Sequence, residues 1–168
     1  LLMGNNSSIF LDQDLWNGQN SGALTISGDL TASNNNARII ATGIAPTPTG
    51  TNKIATVLSG DIVLDGRALD DLVKVDFGWL TTIDEITTNL VAVDERAIEA
   101  SYVYNSLTNS PGLAGVDDNV LTFADDIVSG MNSNAFYELN VLGAEKGTAN
   151  MIYSLSQMPD TADSSFNI

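Results

Sequence analysis

Ala23-Leu24-Thr25-Ile26-Ser27-Gly28-Asp29-Leu30-Thr31-Ala32 runs with a period of two: Leu24, Ile26, Gly28, Leu30 and Ala32 fall on one side, Thr25, Ser27, Asp29 and Thr31 on the other. Side chains of an extended chain point to alternate faces, so this pattern predicts a half-buried strand. Outward from it the chain reads the same way. Residues 37–45 resume as a strand after the polar turn Ser33-Asn34-Asn35-Asn36. Pro46-Thr47-Pro48-Thr49-Gly50-Thr51-Asn52 is a loop, because its prolines cannot join a ladder. Residues 54–64 carry two apolar runs broken by Ser59-Gly60-Asp61, and Asp65-Gly66 is a hairpin turn signal. Further strands are predicted over 72–77, 84–93, 120–123, 137–141 and 151–155. Residues 94–107 fit two periods: Ile98, Ala100, Tyr102 and Tyr104 share a face as a strand, whereas Ala97, Ala100, Tyr104 and Leu107 share one as a helix capped by Asp94. No internal repeat is read. The expected class is all-β, a β-sandwich or jelly roll of about nine or ten short strands, with 94–107 as the one place for a short helix. Residues 1–22 read as an N-terminal arm and 23–168 as the sandwich domain.

The side chains that are missing narrow the function. The 168 residues include no histidine and no cysteine, and six cationic residues face sixteen Asp and five Glu, a net charge of −15. No imidazole shuttles protons, no thiol acts as nucleophile, and no nitrogen or sulfur ligand set holds zinc. Gly-x-Ser-x-Gly, Ser-x-x-Lys and the glycine-rich phosphate loop are also missing from the sequence. The expectation is a protein that is not an enzyme. Nucleic acid and anionic lipid would be repelled, since affinity for both rests on clustered Lys and Arg. No apolar stretch reaches the length of a membrane span, so no membrane insertion is expected. The opening at Leu1, without an initiator Met, reads as a processed chain. With the Thr-, Asn- and Ser-rich composition this points to an extracellular or cell-surface home.

Carboxylates are the remaining chemistry. Asp117, Asp118, Asp125 and Asp126 flank one predicted short strand, and loops at its two ends could converge as oxygen ligands for calcium. Asp12-Gln13-Asp14 begins like a calcium loop, but Trp16 stands at the third ligand position. A bridging cation would matter to an assembly whose subunits each carry −15. Trp79, in Phe77-Gly78-Trp79-Leu80, reads as core, whereas Trp16 beside Asp14 and Asn17 reads as an interface residue. Asn5 and Asn6 both begin glycosylation acceptor triplets.

Phe10-Leu11-Asp12, followed by Ser21-Gly22-Ala23-Leu24-Thr25-Ile26, resembles the start of mature camelysin and TasA-like proteins: an aromatic-x-Asp, a turn, then Gly-small-Leu-x-aliphatic. Gln19-Asn20 stands where that pattern has an apolar residue, and the resemblance covers residues 10–26 only. It implies a secreted jelly-roll protein that polymerises by donating an N-terminal strand to the next subunit; the archaeal cannula proteins, which look like relatives, use calcium at their contacts. On this reading Ile9, Phe10, Leu11 and Trp16 are the polymer contacts, Phe166 and Ile168 at the opposite end are the rival donor segment, and other copies of the chain are the partners. Two other classes remain open: a virion structural protein, such as a decoration or tail component, and a carbohydrate-binding module or glycosidase, which would need an exposed aromatic platform or a carboxylate pair in a cleft.

Overall fold

The computed structural model describes residues 1–11, 24–33, 36–43 and 47–142. Nine strands occur among them: β1 (Ser8–Leu11), β2 (Leu24–Ser27), β3 (Leu30–Thr31), β4 (Arg38–Thr42), β5 (Gly50–Leu58), β6 (Ile62–Val63), β7 (Val73–Asp76), β8 (Thr81–Ala92) and β9 (Glu95–Tyr104). Helices are fewer: α1 (Leu69–Leu72), α2 (Asp118–Ser129) and α3 (Ser133–Tyr137), with short helical turns at Leu107–Asn109 and Pro111–Leu113 and a π-helical turn at Glu138–Leu142. The strand-rich class expected from the sequence is the class observed.

The pairing is not that of a sandwich built from hairpins. Three sheets form, in the orders β1-β4-β7, β2-β5-β9-β8 and β3-β6. Within them β1 with β4, β4 with β7, β2 with β5 and β3 with β6 all run parallel. Partners stand one circuit of the chain apart: Leu2 bridges Thr31, Ser8 pairs with Arg38, Leu24 with Ala55, Leu30 with Ile62, and Ile39 with Val73. The backbone therefore visits the three sheets in turn and then starts the circuit again one strand lower. This is the arrangement of a β-solenoid, a coil whose successive turns bury a continuous core. The chain does have an internal repeat, structural in kind, with a period of roughly thirty residues.

Small residues fix the coil's corner. Ser27-Gly28-Asp29-Leu30 and Ser59-Gly60-Asp61-Ile62 stand on successive turns. A Cβ on Gly60 would lie 2.2 Å from the carbonyl carbon of Gly28, so only glycine lets the two backbones approach. Asp29 Oδ1 accepts the Asp61 amide at 2.8 Å, and Leu30 N–H donates to Asp61 O at 2.9 Å. Arg96 joins the corner from β9, donating to Gly60 O at 2.9 Å and pairing with Asp61 at 3.1 Å. On the far side Arg67 donates to the carbonyls of Ala32, Ala37 and Asp71, closing another bend. Asp65 and Gly66 both take positive φ, as the turn signal predicts, but they lead from β6 toward α1 and not into a hairpin.

Residues 1–11 belong to this coil. Met3 and Leu11 are buried with the rest of the core, and Ile39, Val57, Leu72, Val73 and Ile98 are sealed completely. The parallel repeat stops at sheet β2-β5-β9-β8. There β9 pairs antiparallel with β5, and β8 returns antiparallel to β9 across the turn Val93-Asp94. Residues 95–104 are strand, with Ala97, Ile98, Ala100 and Tyr102 buried, so the helical alternative for 94–107 is not adopted. The packing explains the choice: Tyr102 meets Phe77 edge to face at 5.4 Å, which the period-two face allows.

Two predicted strands are helical. Residues 120–123 lie inside α2, whose start is capped by Asp117 Oδ1 accepting the Asn119 amide at 2.9 Å and whose end is followed by Gly130. Leu121 and Val128 are buried and Val120, Ala124 and Ile127 half-buried, a stripe with helical spacing that a four-residue apolar run does not reveal. Residues 137–141 fall in the end of α3 and the π-helical turn. The strand predicted over 151–155 lies outside the described residues.

Candidate assembly surface

The first turn of the coil exposes backbone edges. β1 is the outer strand of its sheet and β2 of its own, and among the described residues neither has a partner on its outer side. An unpaired edge presents alternating N–H and C=O groups that another strand can satisfy. Ile9 is half-buried, Leu11 is buried against the core, and Phe10, between them, is 69% exposed. Leu2 is 79% exposed on the same turn. Among the described residues of this turn, 1–11 and 24–33, Asp29 is the one ionisable side chain, and β1 and β2 carry none, in a chain that holds twenty-one acids. The predicted contacts Ile9, Phe10 and Leu11 thus do share one strand. Trp16 lies outside the described residues.

That strand is not free to leave. β1 pairs along its whole length with β4, from Ser8 with Arg38 to Leu11 with Ala41. Compared with family models, curated proteins and solved structures, the chain finds no match. The local pairing is therefore what describes residues 8–11 and 24–27, and it is parallel at both.

The predicted calcium ligands do not converge. They lie along one helix: Asp117 caps α2, Asp118 is in its first turn, and Asp125 and Asp126 stand two turns on, roughly 10 Å away at about 1.5 Å per residue. Asp125 has a different role. It accepts from Tyr104 Oη at 2.5 Å, Ser106 Oγ at 2.6 Å and Leu107 N–H at 2.7 Å, tying α2 to the end of β9. Burial, and then the neighbouring Asp125 carboxylate, pushes the Tyr104 hydroxyl well above the usual phenol range. Burial also raises Tyr102. Among the described residues no group of three or more acidic side chains is placed to hold a metal ion.

One cleft of about 420 Å³ opens between α1 and β8, lined by Leu69, Asp70, Ile83, Asp84, Glu85 and Ile86. It has carboxylates but no aromatic wall for stacking on a sugar ring. Trp79 packs against the core, as its context predicts, and its indole N–H donates to Leu139 O at 3.0 Å. Beside it the buried Asn140 amide clamps the turn, accepting from Leu80 N–H and donating to Phe77 O. A Cβ on Gly78 would strike that amide, so the turn accepts only glycine there. No helix among the described residues is long and apolar enough to cross a membrane.

The residues that sequence reasoning missed lie on β8, the opposite outer strand of the sheet that contains β2. In β8, Leu90 is 69% and Val91 45% exposed, and Val93, in the turn that follows, 90%. The sequence signal was present, an apolar triplet around Ala92, but its exposure depends on strand register.

Proposed function

We propose that this chain is a structural subunit of an extracellular filament or tube, and that its partners are other copies of itself joined through sheet edges. The outer strands of the coil's first turn, β1 and β2, which carry no ionisable side chain, support the reading. Subunits of −15 repel each other over most of their surface, whereas β1 and β2 offer apolar side chains, no carboxylate and, among the described residues, an unpaired outer edge. The resemblance of residues 10–26 to camelysin and TasA-like proteins points to the same class of function, as does the absence of His and Cys. Because β1 is already paired with β4, the contact is edge addition, with residues 8–11 staying in their own subunit. Calcium is not required for it, since the paired strands themselves, residues 8–11 and 24–27, carry no carboxylate for a cation to bridge.

Electron microscopy and light scattering of the purified protein, with and without chelator and across ionic strength, test this. Fibres are expected in both conditions and form faster as salt screens the acidic surface. Monodisperse monomers at high concentration throughout would overturn the proposal, and fibres that dissolve on chelation would restore calcium to the contact.

A further inference from the structure

The registers of sheet β2-β5-β9-β8 define straight columns across four strands. Leu24 stands on Ala55, Ile98 and Thr88; Thr25 on Thr56, Ala97 and Asn89; Ile26 on Val57, Arg96 and Leu90; and Ser27 on Leu58, Glu95 and Ala92. Among the described residues, 24–27 form one free edge of this block and 88–92 form the other. Both stretches lack ionisable side chains, and the second exposes Leu90 and Val91. The acids of β8, Asp84 and Glu85, lie further along the strand, outside the columns. Direction also agrees. β2 is parallel to β5, β5 antiparallel to β9 and β9 antiparallel to β8, so β8 runs the same way as β2.

Deepening the reading above and resting on it, we propose that the β2 edge of a second copy adds to residues 88–92 of β8, continuing this sheet from one molecule into the next. The occupant is a copy because the two edges match in charge, in strand sense and in position along the column. The pairing would be parallel, like each turn-to-turn pairing inside the coil, with strands about 4.8 Å apart. Different surfaces meet on the two copies, so the contact does not close and yields a filament. Asp29 and Asp94 lie just beyond the paired residues at the same end of the column, which leaves one like-charge approach that salt relieves.

The chain has no native cysteine, so engineered thiols report the contact cleanly. Thr25 and Asn89, both exposed, share a column, and adjacent strands place Cα atoms within disulfide reach. Under mild oxidation, T25C mixed with N89C is expected to give covalent heterodimers. The double variant should give a ladder on a non-reducing gel, and each single variant alone should run there as an uncrosslinked monomer band. Dimers from T25C alone would mean head-to-head joining and would overturn this contact while leaving edge assembly standing. Fibres without any cross-link would do the same. No cross-link and no fibres would remove both proposals.

Discussion

The coil of β1 to β7 and the hairpin of β8 and β9 are both sheet, yet they hold together by different means. In the coil each strand is paired with a segment one circuit away, and tight corners such as Gly28 against Gly60 set the register. In the hairpin the strands are joined by the two residues Val93 and Asp94, and the ladder is interrupted by bulges at Asp84 and Val91. β9 is buried by its contact with β5, whereas β8 has Ile83, Ile86 and Thr87 half-covered and Thr88–Ala92 exposed. A coil depends on close backbone approach; a hairpin depends on its turn and on whatever lies on its outer edge. The hairpin is thus the part whose exposed side fits addition of another strand.

Substitutions separate the two regions. Gly60→Ala should have the largest effect, because its Cβ meets backbone that cannot move aside; a loss of more than about 3 kcal/mol in urea unfolding is expected. Gly28→Ala has open space around it and incurs only the positive-φ strain, about 1 kcal/mol. Equal losses at the two glycines would break the idea that the corner sets the register. Asp125→Ala should follow, at about 2–3 kcal/mol, by leaving the Tyr104 hydroxyl and the Leu107 amide without their acceptor. Amide exchange should then speed up at the end of β9 and in α2 while the coil keeps its protection. Loss of protection in β1 and β4 as well would show that the two regions unfold as one unit.

The smallest effect concerns pH. Burial raises both Tyr102 and Tyr104, so the fold favours their neutral form. Their contribution is complete below the unfolded phenol value near pH 10 and is lost as pH rises beyond it. Tyr104→Phe should cost stability at neutral pH but flatten this alkaline decline. An unchanged alkaline slope in that variant would place the sensitivity elsewhere.

Strand positions were legible because period two survives any pairing. Residues 24–32, 54–64, 72–77 and 84–93 all contain strands where alternation or β-branched weight placed them. Partner choice was not legible. Alternation says which face is buried but not whether the neighbour is the next strand or one a circuit later. The clue was the recurrence of Ser-Gly-Asp-aliphatic at 27–30 and 59–62, which marks two stacked corners. α2 was missed because Val120–Phe123 alone is too short to show a period, although Asp117 before it and Gly130 after it are helix boundary residues. Half of the candidate surface, Ile9 to Leu11, was visible as an apolar run. Leu90 and Val91 were not, because only the register of four strands shows Leu90 in the column of Ile26, with Val91 at the bulge beside it.

The turn Val93-Asp94 also orders the birth of the structure. It joins β8 to β9 across two residues, whereas Leu24 meets Ala55 and Ile39 meets Val73 only after a full circuit of chain has closed. Loop closure costs about 0.6 kcal/mol for each doubling of length, so the hairpin is expected to form first and offer β9 as a template for β5. The remaining turns would then be wound onto it toward the N-terminus. In pulse-labelled refolding, β8 and β9 amides should gain protection before those of β1 and β4.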